Sequence, residues 1–351
     1  MVLASDNETA ISIHNSMKIL VTGASGLVGG AIVKEFLRYG FEVYALSKSN
    51  SKIDKFGEIK NFFKADITEY QNLAAIAKLE NIDVIIHSAG LAHQFGNRAE
   101  REFWKVNVLG TENVARLAAD LKVKHFILIS SVAVYGRKPA NLKDNNSATY
   151  KSEITEEAIC QPQGFYARSK LGSEKAAQNI CADKKIALTI LRLATVIGEE
   201  DRGNVARLIK AIDKKRFFWI GAGENFKSLI YKGDAAKACL KIIRKSAGSE
   251  IFNVTAEPST MKEIVSEIEN NLGIKPAKFS IPSKIVSKFF LINTKFLRLK
   301  HLNLIEGILD KWLSDDVFSG EKFKKIYGFQ SETSIKEAIR RQIEHYKKTK
   351  R

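Results

Sequence analysis

Tyr166-Ala167-Arg168-Ser169-Lys170 sets a phenol and an ammonium four residues apart, the spacing that puts two side chains on one face of a helix. A free tyrosine titrates near pH ~10, poorly matched to acid–base work at neutral pH. A neighbouring cation favours the phenolate and brings the group into a useful range. Such a pair can carry a proton to or from an oxygen atom. Ser131, in the run Ser130-Ser131-Val132-Ala133-Val134-Tyr135-Gly136, offers a hydroxyl that can hold the same oxygen and direct it toward Tyr166. Tyr–x–x–x–Lys alone arises often by chance, and its weight comes from a second motif near the start of the chain.

That motif is Thr22-Gly23-Ala24-Ser25-Gly26-Leu27-Val28-Gly29, between a β-rich run, Lys18–Thr22, and an amphipathic segment, Leu27–Tyr39, ending at Gly40. Gly23 permits a tight turn, Gly26 removes a side chain where backbone must approach a pyrophosphate, and Gly29 lets helix and strand pack closely. The free N–H groups and positive dipole end of the helix favour phosphate. Gly23, Ser25, Gly26, Leu27, Val28 and Gly29 are therefore the expected cradle of a nicotinamide dinucleotide. An oxidised nicotinamide is positive and would further favour the Tyr166 phenolate, and Lys170 can hydrogen-bond the nicotinamide ribose. The second strand ends Val43-Tyr44-Ala45-Leu46-Ser47-Lys48, without the carboxylate that usually grips the ribose hydroxyls of NAD. Lys48 can instead meet a 2′-phosphate, so NADP(H) is expected in preference to NAD(H). Asp66 can accept from the adenine amino group.

Strand-like and helix-like segments alternate from Lys18 to about Val254, the pattern of a mainly parallel sheet covered on both faces. Strands are expected at Lys18–Thr22, Glu42–Leu46, Phe62–Ala65, Val84–His87, Phe126–Ser130, Ala187–Leu193 and Ile251–Val254. Helices are expected at Tyr70–Leu79, about 103–121, Tyr166–Cys181 and 234–245. Right-handed crossovers then give a doubly wound α/β sheet of Rossmann type, with ligands at the carboxyl ends of the strands, where Ser131 falls. After Val254 helices dominate, with strong patterns at Met261–Leu272 and Ile335–Tyr346. The expected organisation is a leader over 1–16 without fixed structure, a dinucleotide-binding domain over 17–194 and about 232–254, and a smaller, mostly helical substrate lobe over about 195–231 and 255–346.

Of 351 residues, 45% are hydrophobic and 27% charged, a balance that supports a large core. Cys160, Cys181 and Cys239 are an odd set without metal-like spacing, which argues for a reducing, cytoplasmic setting. The first sixteen residues lack a secretory pattern, and no run approaches the ~20 apolar residues of a membrane span. His87 and His93 have no cysteine or carboxylate cluster at ligand spacing, so no metal is expected. The net charge of +17 suits anionic small ligands. No recognised reading module argues for nucleic acid. The mixed apolar and basic segment Ile281–Leu304, with Phe289, Phe290, Lys295 and Arg298, reads as a lobe element over the site, or as a weak peripheral membrane contact.

The chain resembles the extended short-chain dehydrogenase/reductase family, the epimerases and dehydratases of nucleotide sugars. The resemblance runs from Lys18 to about Tyr346. It rests on Thr22–Gly29, Asp66-Ile67, His87-Ser88-Ala89-Gly90, Asn107-Val108-Leu109-Gly110-Thr111, Ser130–Gly136, Tyr166–Lys170, Lys227-Ser228-Leu229-Ile230-Tyr231, Ile251-Phe252-Asn253-Val254 and Lys322–Phe329. It implies catalysis by Ser131, Tyr166 and Lys170. Ile67, Ala89, Gly90, Asn107 and Leu193 would lie at the cofactor, with Asn107 supporting a proton path. Val205, Phe218 and Lys227 would lie near the nucleotide, Lys227 standing where such enzymes often carry an Arg for the diphosphate. The family's dehydratases place an Asp-Glu pair after the serine-or-threonine position, where this chain has Val132 and Ala133, so dehydration is disfavoured. Reduction of a 4-keto group on a UDP- or dTDP-linked sugar is the expected reaction. A UDP-sugar 4-epimerase with tightly bound NAD, a reductase of a non-nucleotide ketone, and a non-catalytic dinucleotide-binding regulatory or RNA-associated protein remain alternatives. By the same likeness the chain forms a homodimer through the helices near 103–121 and 166–181.

Overall fold

The structure is a computed structural model that describes residues 17–49, 59, 61–92, 99–136, 153–245, 248–277, 279–282 and 313–350. Six strands open the chain: β1 (Lys18–Thr22), β2 (Glu42–Ser47), β3 (Asn61–Lys64), β4 (Val84–His87), β5 (His125–Ser131) and β6 (Ala187–Leu193). With a later strand, β11 (Glu250–Val254), they form one parallel sheet in the order β11-β6-β5-β4-β1-β2-β3. The inner strands are nearly continuous apolar runs, Ile19–Val21, Val84–Ile86 and Phe126–Ile129, because helices bury both of their faces.

On one face lie α1 (Leu27–Arg38) and a helix from Lys232–Arg244, whose Ile32, Val33, Phe36, Ala235 and Ala238 join one core cluster. The other face carries α2 (Glu100–Phe103), a π-helical turn (Trp104–Leu109), α3 (Gly110–Asp120) and α4 (Gly164–Asp183). Val114, Leu117, Ala118, Ala177 and Cys181 supply its core. Strand order reverses between β1 and β4, and such a switch point opens a crevice at the strands' carboxyl ends. The first glycine motif and the loop after β4 meet there.

After β6 the chain leaves the sheet through β7 (Thr195–Ile197), α5 (Asn204–Asp213), β8 (Trp219–Ile220) and β9 (Phe226–Lys227). It returns through β10 (Leu229–Tyr231), which pairs in parallel with β7, and α6 is then the Lys232–Arg244 helix. Beyond β11 come β12 (Ser259–Thr260), α7 (Met261–Leu272), β13 (Ser280–Ile281), α8 (Glu321–Tyr327) and α9 (Ile335–Lys350). Ile197, Val205, Ile209, Ile264, Ile268, Ala338 and Ile339 form a separate core from α5, α7, α9 and the β7–β10 pair. Helix α7 starts on a capping box: Thr260 Oγ1 accepts from the Glu263 N–H while Glu263 accepts from the Thr260 N–H, and Gly273 ends it in the left-handed region at φ 73°.

Three expectations change. Tyr70–Leu79 is not one helix but two short 3₁₀ turns, Tyr70–Leu73 and Ile76–Lys78. Its bonding is local, and only Leu73 and Ile76 are drawn fully inward. The expected helix near 103–121 is broken by the π turn. Residues 255–346 do not all join the lobe: Phe323 and Tyr327 of α8 pack tilted and edge-on against Phe252 of β11, at 5.2 and 5.5 Å between ring centroids, and belong to the core of the main sheet. His93, most of 281–304 and residues 1–16 lie outside the described residues.

Candidate active site

The glycine motif forms a cradle by backbone geometry. Gly23 turns at φ 70°, and a Cβ there would sit 2.6 Å from the Ala89 nitrogen. A Cβ on Gly29 would stand 2.3 Å from the Gly23 carbonyl oxygen. Helix α1 begins at Gly26 with no side-chain cap, so its first N–H groups face outward, as a pyrophosphate requires. Leu27 and Val28 are half-buried in its first turn. The cradle fits a dinucleotide. Ser25 is tied to the end of β2, its Oγ 2.5 Å from Ser47 Oγ.

Buried hydrogen bonds join this cradle to the neighbouring loop and to the π turn. Thr111 Oγ1 donates to the Asn107 carbonyl at 2.5 Å, so it accepts from His87 Nε2–H at 3.0 Å. His87 Nδ1 is then bare and accepts from Thr22 Oγ1 at 2.6 Å, while Thr22 Oγ1 accepts from the Ala89 N–H at 3.2 Å. Burial, then the Lys170 charge, pushes His87 down to about 3, so the ring stays neutral in this tautomer. Asn107 Oδ1 accepts from the Leu91 N–H at 2.6 Å, and its Nδ2 donates to Ser169 Oγ at 2.8 Å. Gly90 leaves room for that side chain, since a Cβ there would lie 3.1 Å from Asn107 Oδ1.

At the carboxyl end of β5, Ser131 Oγ accepts from the Ala133 N–H at 3.2 Å, and its hydroxyl acts on the Tyr166 phenol so as to favour ionisation. One turn along α4, Lys170 Nζ donates to the Ile129 carbonyl at 2.6 Å. The structure therefore brings Ser131, Tyr166 and Lys170 together. Burial pushes the Tyr166 phenol up, and the Ser131 hydroxyl offsets only part of that rise. The expected pull of Lys170 toward phenolate does not prevail; the ammonium is turned onto the Ile129 carbonyl. Burial lowers Lys170 to about 8, against the opposing charge of Glu174.

Other expected residues are placed differently. Lys48 Nζ meets Asp66 Oδ2 at 2.7 Å. Burial opposes the Asp66 charge, but Lys48 and the Thr68 N–H outweigh it and hold the carboxyl below its usual range. The Ile67 side chain packs against Gly110, where a Cβ would sit 2.7 Å from Ile67 Cδ1, so it supports α3. Leu193 is buried at the end of β6. Val205 is only 6% exposed and belongs to the lobe core; the amphipathic pattern of α5 turns it inward. Phe218 is open at 45% exposure, its ring 6.3 Å from Phe279. Lys227 Nζ donates to Asp316 Oδ2 at 2.8 Å and to the Ser314 carbonyl at 2.7 Å. Its ammonium thus holds the segment before α8, a partner 89 residues distant in sequence.

The sequence reading passed over Thr22, Glu174, Arg192 and Tyr135. Glu174 continues the four-residue spacing of Tyr166 and Lys170, and Arg192 stands alone as a charge in apolar β6; both were visible signals. Among the described residues, no group of three or more His, Cys, Asp or Glu side chains is placed to hold a metal ion, and no helix is long and apolar enough to cross a membrane.

A doubly wound sheet with a dinucleotide cradle at its switch point and a Tyr–Lys–Ser set beside it defines the extended short-chain dehydrogenase/reductase class. The model of the NAD dependent epimerase/dehydratase family matches residues 19–255, and the chain belongs to that family. It is 30% identical over 268 residues to N-acetyl-alpha-D-glucosaminyl-diphospho-ditrans,octacis-undecaprenol 4-epimerase of Escherichia coli O157:H7, covering 75% of each chain. To UDP-glucuronate 4-epimerase of Thermodesulfobacterium geofontis it is 25% identical over 345 residues, covering 92% of this chain and 94% of the relative. The fold matches UDP-glucuronic acid 4-epimerase from Bacillus cereus in complex with NAD, with a TM-score of 0.73 at 19% identity, covering 95% of this chain and all of that one. The chain is thus an enzyme of the nucleotide-sugar epimerase and dehydratase kind, in an NAD-dependent family.

Proposed function

We propose that the protein oxidises or reduces C4 of a sugar carried on a diphosphate, and that its net reaction is 4-epimerisation. The observation that carries this reading is the grouping of Tyr166 and Lys170 on one face of α4 against the end of β5, where Lys170 bonds the Ile129 carbonyl and Ser131 acts on the Tyr166 phenol, beside the glycine cradle. A bound dinucleotide would take the hydride from C4 and, once the 4-keto ring has turned over, return it to the opposite face. Ser131 would hold the C4 oxygen, Tyr166 would take its proton in the oxidation and give it back in the reduction, and Lys170, which donates to the Ile129 carbonyl, would hold the nicotinamide ribose. Val132 is buried and carries no acid, and Ala133 carries none, so the elimination of water has no proton carrier at these positions. The two 4-epimerase relatives support the C4 reaction, one on a UDP-sugar and one on a sugar held by a lipid diphosphate. Phe218, open on the lobe, is a ready surface for a nucleobase or prenyl group. Our reading also places the enzyme in the cytoplasm as a homodimer, with residues 17–194 and 232–254 binding the dinucleotide and the remaining lobe binding the sugar carrier.

One observation favours a second reading, net 4-keto reduction with NADPH. The end of β2 offers Ser47 and Lys48 and no carboxylate. For a 2′-phosphate, Lys48 must leave Asp66, and its 77% exposed side chain can do so. A single experiment separates the readings. The purified protein is given UDP-linked and polyprenyl-diphosphate-linked hexoses and their 4-keto derivatives, and C4 configuration is followed by NMR, with and without added cofactor. Turnover without added cofactor marks an epimerase. Consumption of one NADPH per 4-keto sugar marks a reductase. No C4 change with any carrier defeats both.

A further inference from the structure

We propose that Glu174 and Arg192 form a charge pair beneath Lys170 that governs the lysine's ionisation and fixes α4 against β5, making Glu174 a positioning residue for the proton-moving pair. The inference rests on the reading of Tyr166 and Lys170 given above. Glu174 follows Lys170 by one turn, as Lys170 follows Tyr166, and it is 1% exposed. Arg192 of β6 donates to both of its oxygens, Nε to Oε1 at 3.1 Å and Nη2 to Oε2 at 2.7 Å. Ser130 Oγ donates to Oε1 at 2.5 Å. Adjacent residues of β5 are thereby gripped from α4, Ile129 by Lys170 and Ser130 by Glu174. The next residue, Ser131, is the partner of Tyr166. A slip of α4 along β5 would break both grips, so together they set the height of the phenol over Ser131.

The charges around Lys170 explain why a carboxylate is needed there. From β4 comes His87, neutral. From β6 comes Arg192, whose burial works against its charge but whose bonds to Glu174 push its ionisation up. From the 3₁₀ turn Val132–Tyr135 comes Tyr135, its ring 4.8 Å under the Arg192 guanidinium and its hydroxyl donating to Asn253 Oδ1 of β11 at 2.7 Å. Burial pushes that phenol up to about 12. Cys160, ahead of α4, is also pushed up by burial, and Glu156 accepts from the Asn253 N–H on the far side of Tyr135. Arg168 and Glu100 pair on the exposed outer face of α4. Glu174 is thus bonded to one buried cation, Arg192, and stands one helical turn from another, Lys170. The carboxylate keeps Lys170 charged against burial, and Arg192 holds the carboxylate in place and tempers it.

A merely structural pair makes a different prediction from a charge pair. The test follows NADH affinity of the full-length protein by fluorescence from about pH 6 to about pH 10, the range in which a lowered lysine titrates. Glu174→Gln should move the alkaline loss of affinity down by ~1 unit, and Arg192→Gln should move it up. Midpoints that stay at the wild-type value, or move the same way in both variants, overturn the proposal. Ser130→Ala keeps every charge and serves if the charge variants fail to fold. It should lower turnover with the midpoint unmoved, and unchanged turnover overturns the positioning role. Lys170→Met separates the two levels: if wild type shows no alkaline transition that this variant abolishes, the assignment of Lys170 fails instead.

Discussion

Tyr166 is held in this site as a proton-bearing phenol: burial raises it and Ser131 engages it. Removing its hydroxyl should therefore remove proton transfer and little else. Tyr166→Phe is expected to lower turnover by ~10²–10⁴, the usual range for a positioned acid or base, with NADH affinity little changed in a fluorescence titration. At the cradle the expected loss is in binding. Gly29→Ala drives a methyl into the Gly23 carbonyl, which is backbone and cannot swing aside. Overpacking of this kind costs ~1–3 kcal/mol, and calorimetric titration should show weakened dinucleotide binding along with reduced stability. The turns at the glycines and the Tyr166–Lys170 face of α4 were legible in the sequence because both depend on local spacing, and the end of β5 at Ser131 was legible from its apolar run. Lys227 was not, because its charge is taken by Asp316, and nothing near Lys227 in the chain announces that contact. The burial of Val205 in the lobe core follows from the apolar stripe of α5, which the resemblance alone did not convey.

Elements with strong periodicity appear where the pattern places them, α7 at Met261–Leu272 among them. That helix owes part of its start to Thr260. Thr260→Ala should cost about 1 kcal/mol in chemical denaturation, the usual loss for an N-cap hydroxyl, and Thr260→Ser should restore most of it. The segment around Asn107 was less legible. Its pattern is that of one helix, but a π turn over Trp104–Leu109 interrupts the ladder, and such turns occur often at functional sites. The wider turn lets Asn107 reach Leu91 and Ser169 while the Asn107 carbonyl receives Thr111. Periodicity reports which face is apolar; it carries no signal for a change of hydrogen-bond register. The 3₁₀ turns at Tyr70–Leu73 and Ile76–Lys78 were missed likewise, since they share the composition of a helix without its length.

Across the molecule, two buried histidines tie stability to acidity. Burial holds His87 at about 3 and His125 at about 4, whereas in the unfolded chain each titrates near ~6.5. Both are depressed on folding, so their contribution is complete above about pH 6.5 and is lost as pH falls, toward about 4 for His125 and about 3 for His87. Unfolding followed by circular dichroism should show stability declining through that window, and His125→Gln should flatten the decline. A slope of the opposite sign would refute this. At this scale the doubly wound sheet was legible from the alternation of strands and helices, whereas the return of α8 to the sheet was hidden, because Phe323 and Tyr327 read equally well as lobe core.

The strand order has one more consequence. β6 is finished at Leu193, yet its outer neighbour β11 begins only at Glu250. A chain emerging from the ribosome therefore holds the open border of β6 unpaired while the whole intervening excursion is synthesised. During that interval Leu188–Leu193 presents bare amide groups to any other nascent strand. Trigger-type chaperones or a slow-translating stretch before Glu250 should matter more to the yield of this protein than to that of a sheet assembled in sequence.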